Sequence, residues 1–275
     1  MLSEFMTLVR LFFLLLCGAF FTMSASAEQT HIAVASNFTH TMKELIREFE
    51  KTSEHQVKAS YGSSGKIYAQ IKHGAPFQLF FSADQEKPLA LYNEGFSAGK
   101  PFTYALGALA LWSSNSEFNN QELKRLQAGE FNKLSLANPK IAPYGIAAVE
   151  VLENLNLVEA TQKKWIKGEN IAQTYQFVGT GNADLGFVAL AQLFNKKGSN
   201  KQDSNKADYW PVPAKLHQAI RQDAVLLKGG ENNAAAKAFM QFIGNKQSQA
   251  IIASYGYRLH YVSEPVINKN TDSNI

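Results

Sequence analysis

Apolar and polar positions change their spacing in a regular way along this chain. Residues 31–35 form a short apolar run of strand character, and past them Met42, Leu45, Ile46 and Phe49 fall at i, i+3, i+4 and i+7. That spacing lines four side chains along one helix face. Residues 57–61 read as a second strand, Ile67 and Ile71 mark a short helix, and residues 79–82 read as a third strand. A longer apolar stretch, residues 104–112, exceeds an ordinary strand and is placed to cross from one lobe to another. The same rhythm then returns, with a strand at 134–137, a helix carrying Ile146, Val149, Leu152 and Leu155, a helix carrying Ala172, Tyr175 and Val178, and a strand at 185–188. A second long apolar run, residues 219–227, precedes helical patterns on Ala234, Ala238, Phe239 and Phe242 and on Ile251, Ile252 and Tyr255.

Strands alternating with helices predict an α/β fold with mainly parallel sheets. The two long apolar runs divide it into two lobes joined by a two-stranded hinge, the geometry of closure around a ligand. The expected division is 28–106 plus 222–262 for lobe I and 107–221 for lobe II. Residues 195–207, rich in Asn, Lys and Ser, are expected to be a solvated loop, and residues 263–275 a polar C-terminal tail.

The first residues stand outside this pattern. Arg10 precedes an apolar run over 11–23 that ends in Ser24-Ala25-Ser26-Ala27, the form of a secretory signal peptide cleaved after Ala27. The run is short for a membrane span. The single cysteine, Cys17, lies within it after Leu16, where a lipoprotein signal would place a small residue. The mature chain, beginning at Glu28, has no cysteine and forms no disulfide.

Charge and motif content exclude several functions. The net charge is +4, and Glu4 and Arg10 cancel within the leader. The bases are scattered rather than clustered, and a secreted chain of this kind is not expected to bind nucleic acid. Gly62-Ser63-Ser64-Gly65-Lys66 resembles the end of a phosphate-binding loop, but Ser60 stands where its first glycine belongs and Ile67 follows the lysine. The same segment lacks the spacing of a hydrolase nucleophile elbow. The six histidines show no metal-ligand spacing, so no cationic metal site and no cofactor are expected.

What remains is a repeated placement of small polar residues where a strand gives way to a helix. The four junctions are Ser36-Asn37, Ser63-Ser64-Gly65, Pro143-Tyr144-Gly145 and Glu169-Asn170-Ile171. At a helix start the first backbone N–H groups lack internal partners, and the dipole places about half a positive charge there. Any one junction reads as ordinary capping. Four converging from two lobes would carry on the order of two positive charges, enough for a dianion without Lys or Arg.

At these residues the sequence resembles the periplasmic molybdate-binding component of ABC importers. The segments that carry the resemblance are Val34-Ala35-Ser36-Asn37-Phe38-Thr39, Tyr61-Gly62-Ser63-Ser64-Gly65, Gly74-Ala75-Pro76, the stretch from Leu79 to Asp84-Gln85, Ala137-Asn138-Pro139 with Tyr144-Gly145, Gly181-Asn182-Ala183-Asp184-Leu185-Gly186-Phe187-Val188, and Tyr255-Gly256-Tyr257. The resemblance implies a type II-like periplasmic binding fold and a non-enzymatic, monomeric protein that delivers molybdate or tungstate to importer membrane subunits. By position it implies oxyanion ligation by Ser36, Ser64, Tyr144 and Ile171, with Asn37 a neighbour. Relatives often carry a tyrosine at the position of Ala189 and a small residue at that of Tyr144, so the hydroxyl has changed sides of the cleft. Gln78 replaces the family's usual aspartate, a change of local support, and Asp84 is expected to be structural. Two other readings stand beside this one: a binding protein for sulfate, phosphate or a related anion, and a secreted α/β hydrolase.

Overall fold

The structure, a computed structural model, describes residues 27–118, 120–194 and 209–259. The leader at 1–26, the segment 195–207 and the tail at 263–275 lie outside the described residues. In chain order the first elements are β1 (Gln29–Ala35), a 3-10 turn (Ser36–Phe38), α1 (Thr39–Glu50), β2 (Gln56–Gly62), α2 (Ser64–Lys72), β3 (Leu79–Phe81), α3 (Glu86–Asn93) and β4 (Phe102–Gly107). Then come β5 (Leu109–Trp112), α4 (Glu122–Ala128), β6 (Leu134–Ala137), α5 (Pro143–Asn154), α6 (Val158–Thr161), β7 (Trp165–Gly168), α7 (Ile171–Gly179), β8 (Leu185–Ala189), α8 (Leu190–Leu193) and β9 (Tyr209–Pro211). β10 (Ile220–Leu226), α9 (Ala234–Ile243) and α10 (Lys246–Ser254) complete the described chain.

Two five-stranded sheets result, ordered β2-β1-β3-β10-β4 and β7-β6-β8-β5-β9. They follow one plan. In the first, β1 is parallel to β2 and β3 while β10 runs antiparallel to β3 and β4. In the second, β6 is parallel to β7 and β8 while β5 runs antiparallel to β8 and β9. Each sheet is therefore mainly parallel with one reversed strand, as the alternation of strands and helices predicted. The apolar run over 104–112 is two strands, broken at Ala108, one in each sheet. The run over 219–227 is a single strand of the first sheet, so the return crossing lies between Pro211 and Ile220.

Both faces of the first sheet are covered, which is why β1 reads as a continuous apolar run rather than an alternating one. Ile32 and Val34 pack with Met42, Leu45 and Phe49 of α1 and Phe239 of α9. Ala33 faces the opposite cluster of Ile67, Ile71 and Phe80. The second sheet buries Leu134, Leu136, Leu185 and Phe187 against α5. There the face only partly follows the spacing: Leu152 is buried and Val149 and Leu155 pack against the core as expected, but Ile146 is 44% exposed, and Ala147, Ala148 and Val151 also point inward. The sequence of α5 is apolar around most of its circumference, so periodicity selects no side. The small residues allow the closest approach to the sheet and win the core. In α9 the buried side is likewise Ala235, Ala236, Phe239 and Ile243.

Strand register places the site. Ala35 of β1 lies opposite Gly62 of β2, so the two strands end level and Ser36 and Ser63 emerge side by side. Ala137 of β6 lies opposite Gly168 of β7 in the same way. Ligands in open α/β sheets bind beyond such carboxyl ends.

Candidate oxyanion site

A small cavity lies where these strand ends face each other. The first sheet contributes Ser36, Asn37, Ser63 and Ser64, the second Tyr144, Asn170 and Ile171, and no charged residue lines it. The enclosed space is far smaller than sites for drug-sized molecules and suits a small ion.

Caps decide what these serines do. A serine that served only to cap a helix would accept an N–H of the first turn. No side-chain cap is made at the 3-10 turn after β1, at α1, at α2 or at α5. Of the helix starts at the cavity only α7 is capped, by Asn170 Oδ1, which accepts from Ala172 and Gln173 at 3.0 and 3.1 Å and passes over Ile171. The backbone N–H groups of Asn37, Ser64, Tyr144 and Ile171 have no partner among the described residues. All four belong to residues that line the cavity. Buried amides are rarely left unpaired, so the arrangement points to a bound acceptor.

The side chains add protons to this set. Ser64 Oγ accepts from Ala83 N at 2.9 Å, which leaves its own hydrogen to donate elsewhere. Ser63 Oγ is buried and has no partner among the described residues. Asn37 is different: its side chain donates to Gln222 Oε1 at 2.9 Å and Tyr257 Oη at 3.1 Å, so it offers the cavity only its backbone. Tyr144 Oη accepts from Gln222 Nε2 at 3.2 Å. Burial holds the Tyr144 phenol well above the usual tyrosine range, with the hydrogen bonds of Gln222, Asn37 and Tyr257 opposing it, so it stays protonated. A Cβ at Gly107 would strike Tyr144 Oη and Gln222 Nε2, so the last residue of β4 must be glycine for this pair to meet. Ile171 buries its side chain and anchors its carbonyl on Gln192 Nε2 at 3.2 Å.

The two walls also touch directly. Gly65 N donates to Ile141 O at 2.9 Å, and Lys66 Nζ pairs with Glu169 Oε1 at 2.6 Å on the exposed rim. A Cβ at Gly65 would sit 2.9 Å from Ile141 O, a separation that side chains do not tolerate.

The structure thus brings together Ser36, Asn37, Ser64, Tyr144 and Ile171, all named from the sequence. Asp84 takes no part in the cavity lining and pairs with Lys87 at 2.8 Å. Gln78 Oε1 accepts from His31 N at 2.9 Å, a local support between strands. Ala189 is fully buried at the end of β8, on the same sheet that α5 and Tyr144 pack against, so a tyrosine exchanged between these positions does not change sides of the cleft as expected. Among the described residues no group of His, Cys, Asp or Glu is placed to hold a metal ion. Two features were not read from the sequence: the free hydroxyl of Ser63, and the buried polar cluster of Gln222, Tyr257 and Tyr104. A signal for the second existed, since Gln222 is a lone amide inside an apolar strand.

Comparison with known proteins agrees with this geometry. Residues 30–258 match the family described as bacterial extracellular solute-binding protein. The molybdate-binding protein ModA of Azotobacter vinelandii is 46% identical over 237 residues, covering 86% of this chain and 92% of that one. ModA of Rhodobacter capsulatus is 40% identical over 236 residues, covering 86% and 90%. The solved periplasmic molybdate-binding protein of Azotobacter vinelandii superposes with a TM-score of 0.78 at 36% identity, covering 84% of this chain and all of that one. With a family match across both sheets and relatives alike over nearly their full length, this chain belongs to the bacterial extracellular solute-binding proteins.

Proposed function

We propose that this chain is an extracytoplasmic solute-binding protein that captures molybdate or tungstate between its two lobes and hands it to an ABC importer. It has no catalytic step. The observation that carries the reading is the set of four backbone N–H groups, unpartnered among the described residues, around a small, charge-free cavity, supplemented by the hydroxyl of Ser64, whose proton is uncommitted. The converging helix starts supply positive potential that a dianion needs. The relatives named for molybdate supply the identity of the anion. In this reading 28–106 with 222–262 and 107–221 are the two lobes, hinged at the crossings near Ala108 and before Ile220. The leader is removed after Ala27, and the mature protein acts in the periplasm as a monomer. Among the described residues no helix is long and apolar enough to cross a membrane.

Donor chemistry sets the order of anions. The backbone N–H groups only donate, and no carboxylate lines the cavity to accept a proton. Phosphate near neutral pH keeps a proton on part of its population, and a buried P–O–H among donors loses a hydrogen bond at a cost of about 1–3 kcal/mol. Molybdate, tungstate and sulfate carry no such proton, and sulfate is the smallest. Calorimetric titration of the mature protein is expected to rank molybdate about equal to tungstate, then sulfate, then phosphate. Phosphate binding as tightly as molybdate at neutral pH would overturn the assignment, and sulfate binding tightest would favour the second reading, a sulfate-binding protein.

A further inference from the structure

One phenol from the second wall ends among polar groups of the first. Tyr144 belongs to α5, which packs on the second sheet, and its backbone N–H is one of the four at the cavity. Its hydroxyl is engaged elsewhere, with Gln222 of β10 and Tyr257 after α10, which are joined in turn to Asn37 after β1. These three partners all belong to the first sheet and the segments packed on it. The four residues are each at most 4% exposed. Their bonds have a definite direction. Tyr257 Oη donates to the Asn37 carbonyl at 2.9 Å and accepts from Asn37 Nδ2 at 3.1 Å. With its one proton spent, it can only accept from Tyr144, to which it is also hydrogen-bonded. Tyr144 Oη in turn accepts from Gln222 Nε2 at 3.2 Å, and Gln222 Oε1 accepts from Asn37 Nδ2 at 2.9 Å. Gly107, next to the crossing at Ala108, closes this socket, since a Cβ there would strike Tyr144 Oη.

We propose that the Tyr144 hydroxyl is a latch that holds the two walls in contact, so that part of the affinity for any anion arises from bonds that touch none. Tyr144 alone comes from the second wall, and parting the walls must break its bonds to Gln222 and Tyr257 while the other bonds of the group stay whole. Asn37 and Tyr144, whose amides face the cavity from opposite walls, are thereby joined through their side chains. The latch forms in the arrangement that brings both amides to one ligand. Because it favours that arrangement with or without an anion, it raises the fraction of molecules ready to bind, and apparent affinity scales with that fraction. The proposal rests on the two-lobed oxyanion-binding reading above.

The test titrates the wild type, Tyr144→Phe, Tyr257→Phe and the double variant with molybdate, tungstate and sulfate. Tyr144→Phe keeps the ring and the backbone N–H and removes only the bonds across the walls. Affinity should fall roughly five- to a hundred-fold, and by the same factor within about threefold for all three anions. The losses of the two single variants should not multiply: the double variant should bind at least about threefold more tightly than their product requires, because both substitutions break one shared bond. Should Tyr257→Phe not melt cooperatively, Gln222→Leu takes its place. Unchanged affinity in Tyr144→Phe, losses that multiply, or a loss that differs by more than about threefold between anions, the mark of a donor in direct contact, each overturns the proposal. Wall separation gives a readout that needs no anion. From Glu28 onward the chain has no cysteine, so Gln70→Cys on α2 and Gln176→Cys on α7, both exposed, place one spin label on each wall. Without anion, the ratio of short to long label separations should fall about threefold or more in Tyr144→Phe. An equal ratio, or no short separations with Tyr144 intact, overturns the proposal. A wild type that binds none of the three anions would remove the binding reading, and the label distances would still judge the latch.

Discussion

The wall contributed by the first sheet holds three serines, Ser36, Ser63 and Ser64, on two strands that end in register, whereas the wall contributed by the second holds one phenol, Tyr144, and the amide of Ile171. Both walls are built the same way, from parallel strands that end level and helices that start beside them. They differ in how their donors are controlled. On the first wall a short side chain at the helix start is oriented by a neighbouring backbone group, as Ser64 is by Ala83 N. On the second, the hydroxyl lies at the end of a long ring and is oriented by Gln222, 78 residues away in the chain. One plan of strands therefore supports two kinds of control, one within a wall and one across the contact between the walls.

Three adjacent residues at the start of α2 probe the first wall and its contact with the second, in order of falling effect. Ser64→Ala removes a buried donor to a charged acceptor, and such bonds contribute about 1.5–3 kcal/mol. Molybdate affinity by calorimetry should fall roughly ten- to a hundred-fold while the ligand-free protein still melts cooperatively; unchanged affinity would mean that the first wall binds through amides alone. Gly65→Ala places a methyl against the Ile141 carbonyl and opposes contact between the walls. Overpacking costs about 1–3 kcal/mol, and because the strain exists only when the walls meet, the loss should appear in affinity, roughly five- to tenfold, and not in the melting temperature of the open, ligand-free protein. A lowered ligand-free melting temperature with unaltered affinity would show that the seam is permanent. Lys66→Ala breaks an ion pair whose side chains are 53% and 47% exposed. Exposed pairs contribute little, so affinity should change by less than about fivefold, and less still at high salt. A larger change would make this pair a latch rather than a rim contact.

Much of the first wall was legible in the sequence because its chemistry is local. A run of apolar residues ending in Ser36-Asn37, or in Gly62-Ser63-Ser64, specifies at once a strand, its end and a hydroxyl at a helix start. The same local logic correctly gave the two-lobed α/β plan, since parallel strands buried on both faces read as unbroken apolar runs. It was incomplete for α5, where the chain is apolar around most of its circumference: Leu152 is buried and Val149 and Leu155 pack on the core as expected, but Ile146 is exposed and Ala147 and Ala148 take inward places that the spacing did not name. It also could not say which serines cap helices and which leave the amides free, since both uses look alike in sequence.

The amino-acid sequence by itself determined the order of strands and helices, the absence of Lys and Arg at the four junctions, and the residue types that meet there, because each depends on spacing within a few residues. Tertiary structure alone decided that Ala35 ends level with Gly62 and Ala137 with Gly168, that Asn37 turns its side chain away from the cavity, and that Gln222 faces Tyr144. These are relations between groups far apart in the chain. The direction of a hydrogen bond follows from which donors and acceptors are brought within about 3 Å of one another, and only the packed fold sets those distances.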